Sequence, residues 1–246
     1  DISHFTNPSI LHQYEPGSVF KTVTMAAAIN EGKVSPSTIF EDHGSIMISG
    51  WDKPIRNSDF SSKGAHGVVD MNYVLNNSLN TGSIHVMRQI GGSKFANYLQ
   101  AFGFGERTGI ELGAESPGNI NNLLRNRIRE IDAAVASFGQ GIAVTPLQML
   151  MSYQAIANDG ILMKPYVVQK IINGEDEKVI SPKRLREVIS PETADTVLAM
   201  LVNIVEKGHS KRAAIDGYYV GGKTGTAQIA TAGGYKQGEF IHTYVG

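Results

Sequence analysis

Three short segments of the chain carry side chains whose types and spacing suit acyl transfer. Ser18 precedes Lys21 by three residues, and side chains three apart share one face of a helix, so the Lys21 amine could take the proton of the Ser18 hydroxyl. Such a pair alone is expected roughly once by chance in a chain of ordinary composition. Here the segment Ser78-x-Asn80 follows after 60 residues, and Lys223-Thr224-Gly225 after a further 145. We therefore treat the three segments as one candidate site for attack on a carbonyl group.

The segment that contains Ser18 is predicted to begin a buried helix. Pro16 cannot lie inside a helix, so Ser18 falls in the first turn, where unpaired backbone N–H groups project. An apolar stripe at helical spacing follows until Gly32 ends it, formed by Val19, Phe20, Val23 and Ala27. The nucleophile would then stand at the positive end of a core helix.

Further helices and one terminal hairpin are predicted to position the other segments. Helical patterns with capping residues cover 71–77 after Asp70, 81–89, 94–102 after Ser93, 129–137, 146–160 after Thr145, and 191–208 after Ser190. Residues 35–67 are rich in Gly, Ser, Asp and Pro, which indicates hairpins and loops with short strands such as 45–48. A strand at 223–229 and a closing strand from Phe240, joined by a loop at 231–238, form the hairpin.

Composition excludes several classes of function. The 246 residues have a formal net charge of -1 and no Lys/Arg block, which gives no reason to expect nucleic acid or an anionic membrane as partner. The longest apolar runs are far shorter than the roughly 20 residues of a membrane span. The absence of cysteine excludes disulfides and thiolate chemistry and fits an exported bacterial domain. The seven histidines lack metal-ligand spacing, so we predict neither a metal site nor a cofactor.

The three segments, in this order, resemble those of penicillin-binding proteins and serine β-lactamases. The wider stretches 14–18, 137–141, 144–148 and 217–228 resemble the transpeptidase domain of a class B, monofunctional penicillin-binding protein, nearest to its septal, cell-division branch. The resemblance covers nearly the whole chain as one domain. It implies an α+β fold in which an antiparallel sheet is flanked by helices. A mostly helical lobe, approximately 33–215, would be inserted between the Ser18 helix and the Lys-Thr-Gly strand.

The resemblance also implies a role for each residue of the three segments. Ser18 would attack the carbonyl of a D-alanyl-D-alanine stem peptide and become an acyl-enzyme. Lys21 would be the base, and it must be neutral, so burial and the nearby Lys223 would have to lower its pKa by several units from about 10.4. Ser78, held by Lys223, would relay a proton to the leaving amine. Asn80 would orient Lys21 and the substrate amide.

The Lys-Thr-Gly strand is implied to bind the substrate. The backbone N–H groups of Ser18 and Thr226 would form the oxyanion hole. The hydroxyls of Thr224 and Thr226 would bind the terminal carboxylate, and Gly225 would let the substrate approach the strand closely. Because β-lactams carry a strained amide and a carboxylate in similar positions, we expect them to acylate Ser18. We interpret Gly139, Gln140 and Gly141 as structural turn residues, and Trp51, Tyr218 and Tyr219 as packing residues.

Two other functions remain open at the level of sequence. A serine β-lactamase shares the three segments and needs a carboxylate to activate water for deacylation. Glu115 and Asn119, which begin 37 residues after Ser78, resemble such a motif, although the gap of 145 residues before Lys223 is long for that family. The third possibility is a β-lactam sensor or an inactive structural module. The chain carries all the site residues of the three segments, which argues against an inactive module.

The resemblance implies partners and a compartment beyond the site. Stem peptides and β-lactams are the expected ligands, with a glycan polymerase and division proteins as further partners. The expected location is extracytoplasmic, at the outer face of the bacterial cytoplasmic membrane, with a membrane anchor only in the full-length protein. Relative to the family, strands at both ends and a last helix are expected to be missing from this chain. We therefore expect the isolated fragment to be unstable or poorly active.

Overall fold

Helices make up most of the regular structure in residues 6–231 and 234–246, the part of the chain that this computed structural model describes. In chain order they are α1 (Pro8–Leu11), α2 (Lys21–Asn30), α3 (Phe60–Lys63), α4 (Met71–Asn76), α5 (Asn80–Ile90), α6 (Gly92–Ala101), α7 (Glu130–Ala136), α8 (Pro146–Ala157) and α9 (Pro191–Lys207). Short 3₁₀ turns lie at Gly17–Phe20, Asn121–Leu123 and Lys211–Ala213. Among the described residues, no helix is both long and apolar enough to cross a lipid bilayer.

The strands pair antiparallel, two by two. They are β1 (Ile39–Asp42), β2 (Ser45–Ile46), β3 (Ile55–Arg56), β4 (Gly67–Asp70), β5 (Ile161–Met163), β6 (Lys170–Asn173), β7 (Asp176–Val179), β8 (Arg184–Glu187), β9 (Lys223–Thr231) and β10 (Gly234–Val245). The pairs are β1 with β4, β2 with β3, β5 with β8, β6 with β7, and β9 with β10. The predicted terminal hairpin is confirmed, but the predicted loop 231–238 is too long, since β9 continues to Thr231 and β10 begins at Gly234. Ala232 and Gly233 of its predicted loop lie outside the described residues.

Helix α2 lies at the centre of the core. Its residues from Lys21 to Ala28 are all buried, and the helix packs against α5, α6 and α9. A helix that is buried on every side is typical of a core element. The 3₁₀ turn that leads into it packs on β9, and Phe20 of this turn contacts the ring of Phe104 with centroids 5.0 Å apart. The predicted Ser18 helix is thus confirmed, with a 3₁₀ first turn.

Capping residues explain where several helices begin. Asp70 accepts a hydrogen bond from the Tyr73 N–H, and Ser190 accepts one from the Thr193 N–H, as predicted. Thr145 and Gln148 form a reciprocal capping box at α8, with Pro146 in the first helical position. These caps lie within three residues of the groups they bind, so local sequence is enough to predict them.

Three predictions about local structure are wrong. Ser93 does not cap α6, because the helix already begins at Gly92 after Gly91, whose φ of +80° suits glycine. The strand predicted at 45–48 pairs only over Ser45–Ile46. Trp51, Tyr218 and Tyr219 do not pack: their exposed fractions are 49%, 76% and 88%.

The strands β5 to β8 were not predicted and lie within the region expected to be a mostly helical lobe. All residues of β6 and β7 are exposed, so their side chains lack the alternation of apolar and polar positions by which a strand is recognised. Their hairpin turns at Gly174, where φ is +66°. The region 33–215 therefore carries an exposed hairpin in addition to its helices.

Candidate active site

The 3₁₀ turn that contains Ser18 lies directly against strand β9. A Cβ atom on Gly17 would lie 2.9 Å from the carbonyl oxygen of Thr226, and one on Gly225 would lie 2.9 Å from the carbonyl oxygen of Pro16. Both distances are shorter than real Cβ contacts, so glycine is needed on each side for the two backbones to approach. This contact joins the first and third segments of the predicted site.

The structure gives a different reason for Gly225 than the predicted one. Its missing side chain would point at Pro16 and Val19, not into open space where a substrate could lie. Gly225 is therefore required by the packing of β9 on the 3₁₀ turn. The expectation that glycine here also lets the substrate approach the strand stays a prediction.

The Lys21 side chain joins the first segment to the second. Its Nζ donates to the backbone carbonyl of Ser78 at 2.5 Å and to Ser78 Oγ at 3.2 Å. The side chain is almost fully buried. Burial lowers the pKa of the Lys21 ammonium well below its ordinary range, and the positive charge of Lys223 lowers it further, while Asp59 opposes the shift. These are the two causes that the sequence predicts for a neutral amine.

Ser18 itself is half-buried at the start of the 3₁₀ turn. The first N–H groups of a helix have no acceptor within it, so the Ser18 N–H can point at a ligand. Gly17, just before it, donates its N–H to the carbonyl of Gly139 at 3.0 Å. The position of the nucleophile thus depends on the loop 137–141.

Lys223 is buried at the beginning of β9. Burial lowers its pKa to about 8. Its Nζ donates to the carbonyl oxygen of Thr224 at 2.9 Å, instead of holding Ser78 as expected. Its link to the rest of the site is electrostatic, through the charge that it presents to Lys21.

Asn80 lies at the start of α5, beside Ser78 in sequence. Its Nδ2 donates to the carbonyl oxygen of Arg56 at 2.9 Å, and the expected contact of Asn80 with Lys21 is not among the hydrogen bonds of the described residues. The residue that contacts Lys21 is Ser78, whose φ of +56° is unusual for a residue with a side chain. Backbone of this kind occurs at functional sites, where surrounding structure holds it in place.

Thr224 and Thr226 lie on the exposed face of β9. They alternate with the buried Lys223, Gly225 and Ala227, as the two-residue period of a strand requires. Thr226 Oγ1 lies 3.3 Å from Nδ1 of His242, which pairs with it across the hairpin. The two hydroxyls predicted to bind a carboxylate therefore share one side of the strand.

Sequence reasoning missed a buried polar network beneath the second segment. Asp42 accepts hydrogen bonds from Asn57 Nδ2 at 3.0 Å, from the backbone N–H of His66 at 2.9 Å and from the hydroxyl of Thr81. Burial alone would raise the pKa of Asp42, but bonds from Thr81, His66 and Asn57 lower it overall. The network attaches the segment 39–70, which contains β1 to β4 and is called the excursion below, to the first turn of α5 next to Asn80.

Gly139 confirms the interpretation of the loop 137–141 as structural. With φ of +80°, a Cβ atom there would lie 2.2 Å from the carbonyl oxygen of Gly17. The carbonyl of Ser137, in the same loop, accepts a hydrogen bond from the hydroxyl of Thr24 in α2 at 2.7 Å. The loop therefore contacts both the Ser18 turn and helix α2 and helps to position the turn.

Glu115 and Asn119, the residues that resemble a deacylation motif, are engaged in their own loops. Glu115 Oε1 accepts from the backbone N–H and the hydroxyl of Thr108, and Oε2 accepts from the Gly109 N–H at 3.1 Å. Asn119 Oδ1 accepts from the Asn121 N–H at 3.0 Å. Both carboxylate oxygens of Glu115 thus already have donors, which accounts for this residue structurally.

Known proteins provide an independent comparison. Residues 1–246 match the family model described as penicillin binding protein transpeptidase domain. Stage V sporulation protein D of Bacillus subtilis is 34% identical over 249 residues, covering 98% of this chain and 37% of the relative. A peptidoglycan D,D-transpeptidase FtsI homolog of Mesostigma viride is 31% identical over 264 residues, covering 99% of this chain and 44% of the relative. The chain thus spans about two fifths of the length of these relatives.

Solved structures agree with the sequence comparison. Penicillin-binding protein 3 of Mycobacterium tuberculosis, solved in complex with aztreonam, has a TM-score of 0.88 and 30% identity, covering 99% of this chain and 56% of that chain. Its ampicillin complex has a TM-score of 0.89 with the same identity and coverage. The expected α+β transpeptidase fold is therefore confirmed. With the family model matching along its whole length, the chain belongs to the class B penicillin-binding protein transpeptidases.

Proposed function

We propose that this chain is the catalytic domain of a serine D,D-transpeptidase that cross-links peptidoglycan stem peptides. Ser18 Oγ attacks the carbonyl carbon between the two terminal D-alanines, and the bond to the last D-alanine breaks as that residue leaves with a proton on its nitrogen. An amine of a second stem peptide then attacks the ester, forming the cross-link and returning the serine hydroxyl. Relatives that carry the name peptidoglycan D,D-transpeptidase support this reaction.

One observation carries the proposal: Lys21 is a buried amine that contacts Ser78 through both its carbonyl and its hydroxyl. A lysine whose pKa is lowered by burial is a stronger candidate for a general base than an exposed one. In the proposed reaction Lys21 takes the Ser18 proton, and Ser78 passes a proton to the leaving nitrogen. Asn80 begins α5 two residues after Ser78, and the charge of Lys223 adds to the effect of burial in keeping Lys21 neutral.

The strand β9 is proposed to bind the donor peptide. The N–H groups of Ser18 and Thr226 stabilise the oxyanion, an interaction for which one donor is worth about 3–4 kcal/mol of activation free energy. Thr224 and Thr226 bind the terminal carboxylate from the exposed face. Gly225 contributes by allowing β9 to lie against the Ser18 turn. A β-lactam presents the same groups, and the aztreonam and ampicillin complexes of the mycobacterial homologue support β-lactams as ligands here.

The proposed substrate indicates where in the cell this activity takes place. Peptidoglycan lies outside the cytoplasmic membrane, so we infer an extracytoplasmic location, with any anchor carried by parts of the protein beyond this chain. The names of the relatives, which include an FtsI homolog and a sporulation protein, favour a role with division proteins and a glycan polymerase.

The test is mass spectrometry after incubation with a β-lactam. We expect a stoichiometric adduct on Ser18 that persists for many minutes, and none in Ser18→Ala. An adduct that is hydrolysed within seconds would identify a β-lactamase instead. A folded protein that forms no adduct would overturn the proposal.

A further inference from the structure

A second pocket lies between the end of α9 and the terminal hairpin, and we call it the α9 pocket. The turn 208–213, which follows α9, supplies most of its lining, and Thr224 and Tyr244 supply the rest. Its volume is about 800 Å³. Pockets of about 300–1,000 Å³ are the usual size for small organic ligands. Of its lining residues only Thr224 has a part in the proposed reaction.

Three side chains that can carry positive charge line the α9 pocket: His209, Lys211 and Arg212. All three are exposed, and they make no hydrogen bond or ion pair with the residues that the structure describes. None of the described residues that line the pocket is acidic. Arginine and lysine side chains are the usual ligands of phosphate and carboxylate groups. The pocket therefore presents free cationic groups to an anion.

A buried hydroxyl without a partner also points to a ligand here. Ser210 lines the pocket, yet only 3% of the residue is exposed, and its Oγ has no hydrogen-bond partner among the described residues. A shielded polar atom without a partner is costly, and native proteins contain few of them. The Ser210 carbonyl accepts from the Ala213 N–H at 2.9 Å, so the turn is closed while the hydroxyl stays unpaired. An oxygen atom of a ligand would satisfy this hydroxyl.

The terminal hairpin forms the other side of the pocket. Thr224 pairs with Tyr244 across the hairpin, so the two side chains lie on the same face of it. The hydroxyl of Thr224 can donate to an anion. Tyr244 is 45% exposed, and its ring offers a surface on which an apolar group can pack. The pocket thus combines cations, two hydroxyls and an aromatic surface.

The number of donors favours a phosphate over a carboxylate as the anion. A guanidinium, an ammonium, an imidazole and two hydroxyls exceed what the two oxygens of a carboxylate require. A phosphate ester has three terminal oxygens and a charge of about −1.5 to −2 at pH 7. The pocket is also larger than a free phosphate ion fills, and one of its walls is aromatic. These properties suit a phosphate that is attached to an organic group.

We propose that the α9 pocket binds the phosphate group of an organic phosphate and that its occupation slows the acylation of Ser18. The three cations and the hydroxyls of Ser210 and Thr224 bind the phosphate oxygens, and the organic group packs on Tyr244. The bound phosphate engages Thr224 and places negative charge beside the proposed site of the donor carboxylate, so the two anions compete. This competition rests on the proposed transpeptidase function, whereas the binding does not.

Isothermal titration calorimetry measures the binding, with phenyl phosphate, inorganic phosphate and benzoate as probes at constant ionic strength. We expect a Kd of about 0.1–1 mM for phenyl phosphate, from a few charge-assisted hydrogen bonds at an open site. Inorganic phosphate, which lacks the ring, should bind about fivefold more weakly. Benzoate, which has the ring but fewer oxygens, should bind about tenfold more weakly. Ser18→Ala should bind phenyl phosphate as the wild-type protein does.

Two variants test the residues that carry the proposal. Ser210→Ala removes a hydroxyl that has no partner among the described residues, so it should not lower the Tm, yet it should weaken phenyl phosphate binding about tenfold. Arg212→Gln should weaken this binding by a similar factor. Lys207→Gln is the matched control, because it removes an exposed positive charge from the last turn of α9 without altering the pocket lining. It should leave the Kd unchanged.

The second measurement is the rate at which a β-lactam acylates Ser18 in the presence of phenyl phosphate. We expect the second-order rate constant to be halved at a concentration equal to the calorimetric Kd. Ser210→Ala and Arg212→Gln should need about ten times more phenyl phosphate for the same effect. Without phenyl phosphate both variants should be acylated at the wild-type rate, because neither side chain belongs to the catalytic site.

Four results would overturn the proposal. They are no binding of phenyl phosphate, equal binding by the two variants, equal affinity for benzoate or for inorganic phosphate, and binding that leaves acylation unchanged. If Arg212→Gln slows acylation without any phosphate present, the pocket serves the carboxylate of the substrate and the proposal also fails. A wild-type protein that binds phenyl phosphate but is never acylated by β-lactams would instead refute the proposed function.

Discussion

Two buried lysines determine the chemistry available at the scale of single residues. A buried ammonium is costly, so burial lowers the pKa of both side chains, and the positive charge of Lys223 lowers the pKa of Lys21 further. The proposed reaction needs Lys21 neutral, as the base, and Lys223 positive, as the neighbour that keeps it so. A positive Lys223 would also attract the anionic carboxylate of a β-lactam bound beside β9.

We therefore expect a bell-shaped pH profile for acylation of Ser18 by a β-lactam. The second-order rate constant should rise with pH as Lys21 loses its proton, and it should fall above about pH 8, where Lys223 becomes neutral and no longer attracts the carboxylate of the β-lactam. The measurement is the labelling rate from pH 5 to 10 with a β-lactam that does not titrate in this range.

Lys223→Arg provides the control for the descending limb. Arginine stays charged up to pH 12 or above, so this variant should retain its own maximal rate at pH 9 to 10, even if that rate is lower overall. A descending limb near pH 8 that persists in Lys223→Arg would show that another group titrates there.

At the scale of elements, the Ser18 turn is in close contact with two other backbones. Strand β9 approaches it at Gly225, and the loop 137–141 approaches it at Gly139. Each contact depends on a glycine, because a side chain would occupy the space of a backbone carbonyl. Both contacts limit the movement of the turn and so help to fix the nucleophile relative to β9.

Replacing Gly139 with alanine tests this arrangement. The new Cβ would lie 2.2 Å from the Gly17 carbonyl oxygen, and φ of +80° is unfavourable for alanine, so the Ser18 turn must move. We expect the free energy of unfolding to fall by about 2 kcal/mol or more and β-lactam labelling to slow by at least tenfold. Urea denaturation and labelling kinetics measure the two effects.

Gly113→Ala is the matched control, since a Cβ atom at Gly113 meets nothing within 4 Å and its backbone is not left-handed. It should change neither quantity measurably. Normal labelling of a destabilised Gly139→Ala protein would mean that the loop contributes to stability without positioning Ser18.

At the scale of the whole molecule, the features that the sequence predicts are the local ones. The caps at Asp70, Thr145 and Ser190 bind groups three residues away, so each helix start follows from a few neighbouring side chains. The convergence of the Ser18, Ser78 and Lys223 segments is a long-range property. It was predicted through resemblance to a family, because composition and periodicity carry no information on it.

The features that could not be predicted depend on contacts between distant residues. The bond from Asn80 to the Arg56 carbonyl spans 24 residues, and the bond between Asp42 and Thr81 spans 39. Neither has a local pattern, and Asp42 resembles any surface aspartate in the sequence. The exposed pair β6 and β7 was missed for a different reason, since a strand without a buried face has no periodic signal.

The hydrogen bonds of Asp42 are predicted to stabilise the fold and to hold the excursion 39–70 against the second segment of the active site. Asp42→Asn preserves shape but turns an amide N–H₂ group towards hydrogen-bond donors, which leaves at least one buried donor without an acceptor. We expect a loss of about 2–3 kcal/mol in the free energy of unfolding at pH 7. Acylation should also slow, because the network holds the first turn of α5 and with it Ser78 and Asn80.

The pH dependence of this loss has a definite sign. The pKa of Asp42 is lower in the folded protein than its ordinary value, so its carboxylate stabilises the fold above about pH 4 and the contribution disappears as the pH falls below that. The difference in unfolding free energy between wild-type protein and Asp42→Asn should therefore shrink between pH 5 and 3. Asp52→Asn, an exposed aspartate in the same excursion, is the control. If both variants unfold and react alike, the excursion does not support the second segment of the site.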